Sequence, residues 1–549
     1  MSIKHLFIPI LLFVALGARA QRPTPGSDTV LKGSTIEVIQ AYTPKVKQSP
    51  KPEWIPQLPP VDTNRPAISF EVPQQTLYFP YNSLPLNPLE LGRAPFVLPF
   101  PNYIKAGGGN MSTIFVDAGI GGIYGKNYES AIHLHHLSQK GNIVNQQSSL
   151  SGLEADGMLH KAKTDWHGAL IAQRNQYKYY GYDHQLHNYN EDTVNQVYTT
   201  IRGIIDLKNR TDSNGSRFTY HPSVNGSYYG AKLNTSEVSF GFDAPFNYMV
   251  DSSLDLQIAV RGAYSNFNND TQAISNSVTG AWPGLSLHGE HMAGHALVGL
   301  VLGMDGSGYI LPDIAGEYKA GGNKFFISAG WQASLRRNTY EELTTENPYM
   351  RNIYTVLQTR RDEVYGQFRA RGGDHFTYSG RISWWSFADL ATFLNNNGDQ
   401  KEFDVLYQDV KAISFKAAAR YTVADRWSVG GSADFYSYYN ISTRFAGPSQ
   451  YVWHEPAMRI KADFTITPVK KLTCNAYLSI LGGIQARDVP GNVVDLPTIF
   501  DAGVSAEYQL IPRLSVFAQI NNLFNNKYQR WYGYDVYGLN IYGGLRLKF

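Results

Sequence analysis

A single cysteine, Cys474, in 549 residues excludes a framework of intramolecular disulfides. Charged residues are scarce, at 17%, and the net charge is only +3. So weak a balance points to no polyanionic partner, and nucleic acid is set aside. Beyond the first twenty residues no stretch of about 18 apolar residues occurs, so no transmembrane helix is expected. Proline is sparse over most of the chain. Of 28 prolines, sixteen lie between Pro23 and Pro101 and eleven after that, leaving one at Pro9. Residues 21–102 therefore suit neither a regular sheet nor a run of helices, because proline removes backbone donors and breaks both. Extended, polyproline-like chain with short local elements is expected there, docking through scattered apolar residues on a periplasmic partner or inside a lumen.

Aromatics and glycine are plentiful: 37 Tyr, 27 Phe, 9 Trp and 50 Gly. Many aromatics with few charges suit a wall that faces lipid between interfacial ring girdles. A mean hydropathy of −0.30 fits such a wall, since only alternate strand residues meet lipid. At the N-terminus, Lys4 and His5 precede an apolar run from Leu6 to Leu16, and Ala18-Arg19-Ala20 places small residues at −3 and −1. Residues 1–20 read as a signal peptide cut before Gln21, without a nearby cysteine for a lipid anchor.

From Asn102 onward the texture is period-two alternation. Leu539, Ile541, Leu545, Leu547 and Phe549 share one face, against Asn540, Tyr542, Arg546 and Lys548 on the other. Met458, Ile460, Ala462, Phe464 and Ile466 interleave with Arg459, Lys461, Asp463 and Thr465. Such strands carry one apolar and one polar face, and mid-strand charges need water on their side. Alternation alone leaves a soluble sandwich and a membrane barrel open.

Connection lengths decide between them. Short turns at 511–513, 468–470, 424–426, 372–374 and 320–322 alternate with longer links at 525–538, 485–496, 442–453, 390–402 and 340–351. Short turns on one side and long loops on the other mark an up-and-down membrane barrel. Counting only strong strands gives twenty, and the alternation then fails between Asn266 and Glu290. A weaker strand from Val278 to Leu287, turning at His288-Gly289-Glu290, restores it, and Tyr103 to Gly109 supplies one more strand at the start. The expected fold is all-β: a transmembrane antiparallel up-and-down barrel of about 22 strands (20–24) over residues 103–549.

The runs "LSVFAQINNLFNNKYQRWYGYDVYGLNIYGGLRLKF" and "NYIKAGGGNMSTIFVDAGIGG…HLHHLSQKG" resemble the TonB-dependent receptor barrels of Bacteroidota-type bacteria. The family's "NNLFNxxY" corresponds to Asn521 to Phe524 and Tyr528. The resemblance implies the cell outer membrane, contact with its lipid, and solute binding or transport without cofactor or enzymatic activity. It also implies that a terminal aromatic, here Phe549, is what the outer-membrane insertion machinery reads. Members carry a globular plug of well over a hundred residues, and only 82 residues, rich in proline, lie between Gln21 and Asn102, so no full plug is expected. The run from Ser34 to Ala41 resembles a TonB box, with Thr35, Ile36, Val38 and Ala41 as its candidate residues for a TonB-type energising protein. Its spacing differs by one residue, and a short strand or tether is the alternative reading.

Other constellations are weaker. His133 and His135 share a strand face opposite His136, with no carboxylate or cysteine close by in sequence, which reads as polar lumen lining. His288, Glu290, His291 and His295 lack the zincin order on a helix, so no metal site is expected. Asp183, His184 and His187 have no nucleophile at a strained turn, so no catalytic residues are assigned. The aromatic stretches Tyr177 to Tyr182 and Trp531 to Tyr537 read as interfacial girdle rather than as platforms that stack on sugars. Solute transport leads, ahead of a non-transport scaffold or accessory subunit among other outer-membrane or periplasmic subunits. An outer-membrane enzyme is the weakest reading.

Overall fold

The structure, a computed structural model, describes residues 102–549 apart from 126, 210–215, 233, 323, 352–354, 397, 399, 424–425, 445–446 and 489–490. The signal peptide, the proline-rich extension and the TonB-box-like residues Thr35, Ile36, Val38 and Ala41 lie outside the described residues.

Twenty-two strands form the wall. In chain order they are β1 (Asn102–Gly109), β2 (Ile114–Tyr124), β3 (Tyr128–Lys140), β4 (Gln147–His160), β5 (Thr164–Lys178) and β6 (Asn195–Asn209). There follow β7 (Ser223–Gly230), β8 (Ser236–Met249), β9 (Leu254–Asn268), β10 (Ala273–His288), β11 (Met292–Leu302) and β12 (Gly308–Ala320). Next come β13 (Phe325–Arg337), β14 (Gln358–Gly372), β15 (Phe376–Asn395), β16 (Phe403–Val423) and β17 (Trp427–Thr443). The last are β18 (Met458–Val469), β19 (Leu472–Gly482), β20 (Ile499–Ile511), β21 (Leu514–Asn521) and β22 (Asn540–Lys548). Each pairs antiparallel with its neighbour, and β1 pairs with β22 from Tyr103↔Lys548 to Gly109↔Tyr542. The sheet therefore closes on itself and leaves no edge.

The expected count of about 22 holds. The strand expected at Val278 to Leu287 is the latter part of β10, one of the longer strands, and the turn that follows it occupies residues 289–291. The link expected at Leu390 to Glu402 is shorter, because β15 continues to Asn395. The length rule is strongest in the second half. Links at 110–113, 231–235, 269–272 and 303–307 lie on the long-loop side yet have only four or five residues each.

Alternation sorts the side chains as period two requires. On β22, Ile541, Leu545 and Leu547 are exposed on the outer surface, while Asn540 and Tyr542 are buried on the inner one. Outward-facing apolar residues recur around the barrel: Leu170 on β5, Ile205 on β6, Ile258 on β9, Leu300 on β11, Ile310 on β12, Ile382 on β15 and Phe415 on β16. A continuous apolar outer band is costly in water and is what lipid solvates. Charged residues of the same strands turn inward, as Arg459, Lys461 and Asp463 do on β18.

The 20 and 21 residues of β15 and β16 correspond to roughly 65–70 Å of chain, far more than a ~30 Å hydrocarbon core needs even when tilted. Their outward apolar residues stop at Trp384 and Ile413, and above these Phe393, Phe403, Tyr407 and Val410 are buried. The register shifts between Phe387 and Leu390 and again between Asp409 and Lys411. Asp389 lies at φ 55 there, a bulge that re-aims the upper strand toward its loops.

Candidate functional site

Two features of the interior carry chemistry: the lumen wall, and the end where the longer loops gather. By the barrel rule the long loops are extracellular and the short turns periplasmic.

One arc of the lumen wall is lined by imidazole–carboxylate pairs. His133 Nε2 lies 2.9 Å from Asp117, whose other oxygen accepts the Tyr103 hydroxyl at 2.5 Å. His160 contacts Asp165 at 2.7 Å and Glu129 at 3.2 Å. Asp206 takes His167 at 2.6 Å and His221 at 3.1 Å, and Asp156 reaches His167 at 3.3 Å. His288 meets Asp255 at 2.9 Å, and His295 meets Asp313 at 3.2 Å. His133 and His135 do share the lumen face, while His136 turns outward to Ser151 at 2.8 Å. The carboxylate missing from their sequence neighbourhood comes from β2. Folding the β2–β3 hairpin about its turn sets Asp117 opposite His135 and diagonal to His133, a cross-strand signal that local spacing does not carry.

The residues weighed for zinc are split up. His288 and His295 sit on different strands with different carboxylate partners, and His291 lies in the turn between them. No group of three or more His, Cys, Asp or Glu side chains is arranged to hold a metal ion among the described residues. Asp183 accepts the backbone N–H groups of Gln185 and Leu186, capping a local turn, and His184 bonds the Tyr180 carbonyl at 3.2 Å.

The opposite arc, from β12 to β22, uses guanidinium and ammonium groups with aromatic rings. Arg381 is buried against Glu363 at 2.5 Å and lies 3.5 Å from the Tyr365 ring centroid. Arg420 grips Asp463 with both nitrogens, at 3.0 and 2.7 Å. Arg369 pairs with Glu317 and lies over Phe326. Arg546 pairs with Glu507 at 3.3 Å and covers the Tyr103 ring. An interior built from fixed ion pairs is polar and hydrated, as in barrels that handle solutes.

At the extracellular end, residues from strands on opposite sides of the barrel converge. Buried Tyr179, Tyr180, Tyr182, Tyr198, Tyr229, Phe267, Tyr340, Leu343, Met350, Phe393, Phe403, Trp531 and Tyr534 form one apolar cluster. Tyr534 is its hub. Its ring stacks on Tyr349 at 3.7 Å and meets Tyr180 edge-on at 4.8 Å, and its hydroxyl donates to the Lys401 carbonyl. Gly533 lies against the Gly181 backbone, where a Cβ would come within 2.8 Å of the Gly181 carbonyl oxygen, and its φ of +84° suits glycine. Trp531 packs edge-on against Phe393 at 5.2 Å and Phe403 at 5.5 Å. The stretches Tyr177 to Tyr182 and Trp531 to Tyr537 are thus not the interfacial girdle expected from their composition. They bury one another, because loops long enough to cross the mouth remove more ring area from water there than at its rim.

A short helix, α1 (Tyr340–Glu346), supports this cluster. Thr339 caps it by accepting the Glu342 N–H at 3.1 Å, and Glu237 of β8 accepts the Glu341 N–H at 3.0 Å. His454, 1% exposed, completes the packing. Its Nδ1 donates to the Phe393 carbonyl at 2.8 Å, and its Nε2 faces the Tyr532 N–H at 3.4 Å. Burial, and then nearby Arg530, holds its imidazole neutral, down to about 3. Glu346 is water-accessible yet enclosed by the mouth, and that enclosure together with Glu455 pushes its carboxyl up to about 7. Neither His454 nor Glu346 stands out in the sequence, since each acquires its environment from distant loops.

No protein-family model matches the chain, and no curated sequence does. Solved structures match it over most of its length. The FrpB iron transporter from Neisseria meningitidis superposes with a TM-score of 0.64 at 11% identity, covering 82% of this chain and 81% of that one. FpvA of P. aeruginosa bound to pyoverdine gives 0.60 at 12%, covering 82% and 72%. The copper transporter OprC gives 0.59 at 11%, covering 82% and 80%. At such identities the likeness lies in the fold alone: a closed 22-strand barrel, whose apolar outer band suits an outer membrane. FrpB and OprC are named as transporters of iron and of copper.

Proposed function

We propose that this barrel binds a solute at the extracellular face of the outer membrane and passes it through the lumen. One observation carries the reading: a hydrated, ion-paired lumen lies beneath a mouth packed from aromatic loops. A scaffold has no need of the first, and a constitutively open pore has no use for the second. The fold neighbours named for iron, pyoverdine and copper support solute transport in general.

Passage then requires the loops to part. The TonB-box-like run with Thr35, Ile36, Val38 and Ala41 is our candidate for engaging an energising protein from the periplasm. Phe549 is exposed at the periplasmic rim, its N–H donating to the Asn102 carbonyl at 3.1 Å, and is our candidate for the residue read by the insertion machinery. The full chain reconstituted in planar bilayers is expected to show low, gated conductance, and deletion of residues 35–41 is expected to abolish co-purification of a TonB-type protein. A large steady current from the intact chain, or co-purification unaffected by the deletion, would count against gating or against that partner respectively.

A further inference from the structure

The inner faces of β14 to β18 are in register, so one lumen row runs Gln367, Arg381, Lys416, Asp434, Arg459. Its outer cations are committed. Arg381 bonds Glu363 at 2.5 Å and Gln367 at 3.1 Å, and Arg459 bonds Glu455 at 2.7 Å. Lys416 differs. Its neighbour Phe415 points to lipid, so Lys416 points to the lumen, where it is only 9% exposed. Among the described residues it has neither an ion pair nor a side-chain hydrogen bond, although Asp434 stands opposite it on β17.

Rings surround this ammonium instead. Lys416 Nζ lies 5.9 Å from the Trp385 centroid and 5.7 Å from that of Tyr436. Trp385 runs parallel to Phe387 at 5.4 Å and 9°, and Tyr436 parallel to Tyr438 at 5.7 Å and 8°. The indole is held across β16 by its Nε1, which donates to Ser414 Oγ at 2.9 Å. The frame is thus set by three paired strands rather than by loops, which favours a preorganised site. Ring faces attract the ammonium without neutralising its charge, which leaves it able to pair with an anion.

We propose that Lys416, framed by Trp385 and Tyr436, is a lumenal subsite for a carboxylate that carries a flat or sugar ring. The ammonium takes the carboxylate, and the ring lies against the indole and phenol. This rests on the lumen being a solute path, and it adds the class of solute.

Salicylate and glucuronate, titrated calorimetrically into the detergent-solubilised full chain, separate aromatic from sugar carboxylates. At least one is expected to bind, about tenfold more weakly to Lys416→Met and near wild-type strength to Lys416→Arg, as losing a charge-assisted contact implies. Trp385→Leu should weaken the same probe, whereas benzyl alcohol and methyl glucoside should be indifferent to Lys416. Heat-modifiable gel migration identifies folded variants. Absence of binding by folded wild-type barrel, or equal affinity in Lys416→Met, overturns the subsite. Lysine-dependent binding in a barrel that never conducts would instead retain the subsite and overturn transport.

Discussion

At the periplasmic end, all but one of the reversals take only two to four residues, as at 373–375 and 512–513, whereas the extracellular links between β5 and β6, β13 and β14, and β21 and β22 have sixteen to twenty. The first end is stabilised by strand pairing that begins immediately beside each turn. The second depends on side chains that meet across the mouth: Tyr180 from one loop, Tyr349 from another and Tyr534 from a third. A rim of turns can lose one without disturbing the next. In a mouth of shared rings, loss of one ring is felt by its neighbours on other loops, so the two ends of the molecule are held by different means.

The sharpest way to break this contrast is at Trp531. Trp531→Ala removes a buried ring in contact with Phe393, Phe403 and His454. It is expected to cost the closed mouth about 3–5 kcal/mol. Protease nicking between 522 and 539 and single-channel conductance should both rise, while gel migration of the barrel stays unchanged. Unchanged conductance would mean that the loops do not limit passage.

Acid should open the mouth next most strongly. In the closed state the His454 imidazole is held neutral to about 3, against 6.5 when free in the open mouth. Its depressed value contributes closure above 6.5, and that contribution is lost as pH falls from 6.5 toward 3. Glu346 works in reverse, favouring closure below 4.5 and losing that effect as pH rises through about 7. Between pH 6.5 and 4.5 the two groups oppose each other with similar slopes, so loop protection measured by hydrogen exchange should fall below pH 4.5, where His454 acts alone. In His454→Gln that fall should vanish, leaving the opposite slope of Glu346 between pH 7 and 4.5. A variant that keeps the wild-type slope would place the sensor elsewhere.

The smallest effect belongs to the turns. Gly373 has φ +70° with open space where a Cβ would be. Gly373→Ala should cost about 1 kcal/mol from the left-handed backbone alone, seen in barrel melting. Loop protection at the mouth should not move; if it does, the two ends are coupled.

Much of the wall was legible in sequence because its determinants are local. Alternation in β18 and β22 and the turns at 320–322 and 372–374 each report on neighbours in the chain, and parity of link lengths recovered the weak β10. The mouth was not legible for the opposite reason. Tyr180 and Asp535, bonded at 2.8 Å, lie 355 positions apart, and no periodicity links them. Composition gave many aromatic residues and suggested a girdle, whereas loop length decided that they bury one another. The lumen stood between these cases: β18 announced water on one face, but the partner of each charge came from the register of the strand beside it.

The seam between β1 and β22 has a consequence for how the molecule comes into being. Asn110 and Leu539, bonded there, are 429 positions apart, and until they meet the sheet keeps two raw edges. Closure cannot proceed piecewise from one end, because the first strand waits unpaired on one side until the last arrives. Such distant pairing is slow and prone to aggregation. Gly107 and Gly544, where a Cβ would meet the opposite backbone at 2.3 and 2.0 Å, let the two backbones approach closely at that final join. Any larger residue at either position would act as a clasp that fails to shut, and the loss would appear in the yield of assembled barrel rather than in the behaviour of barrels already made.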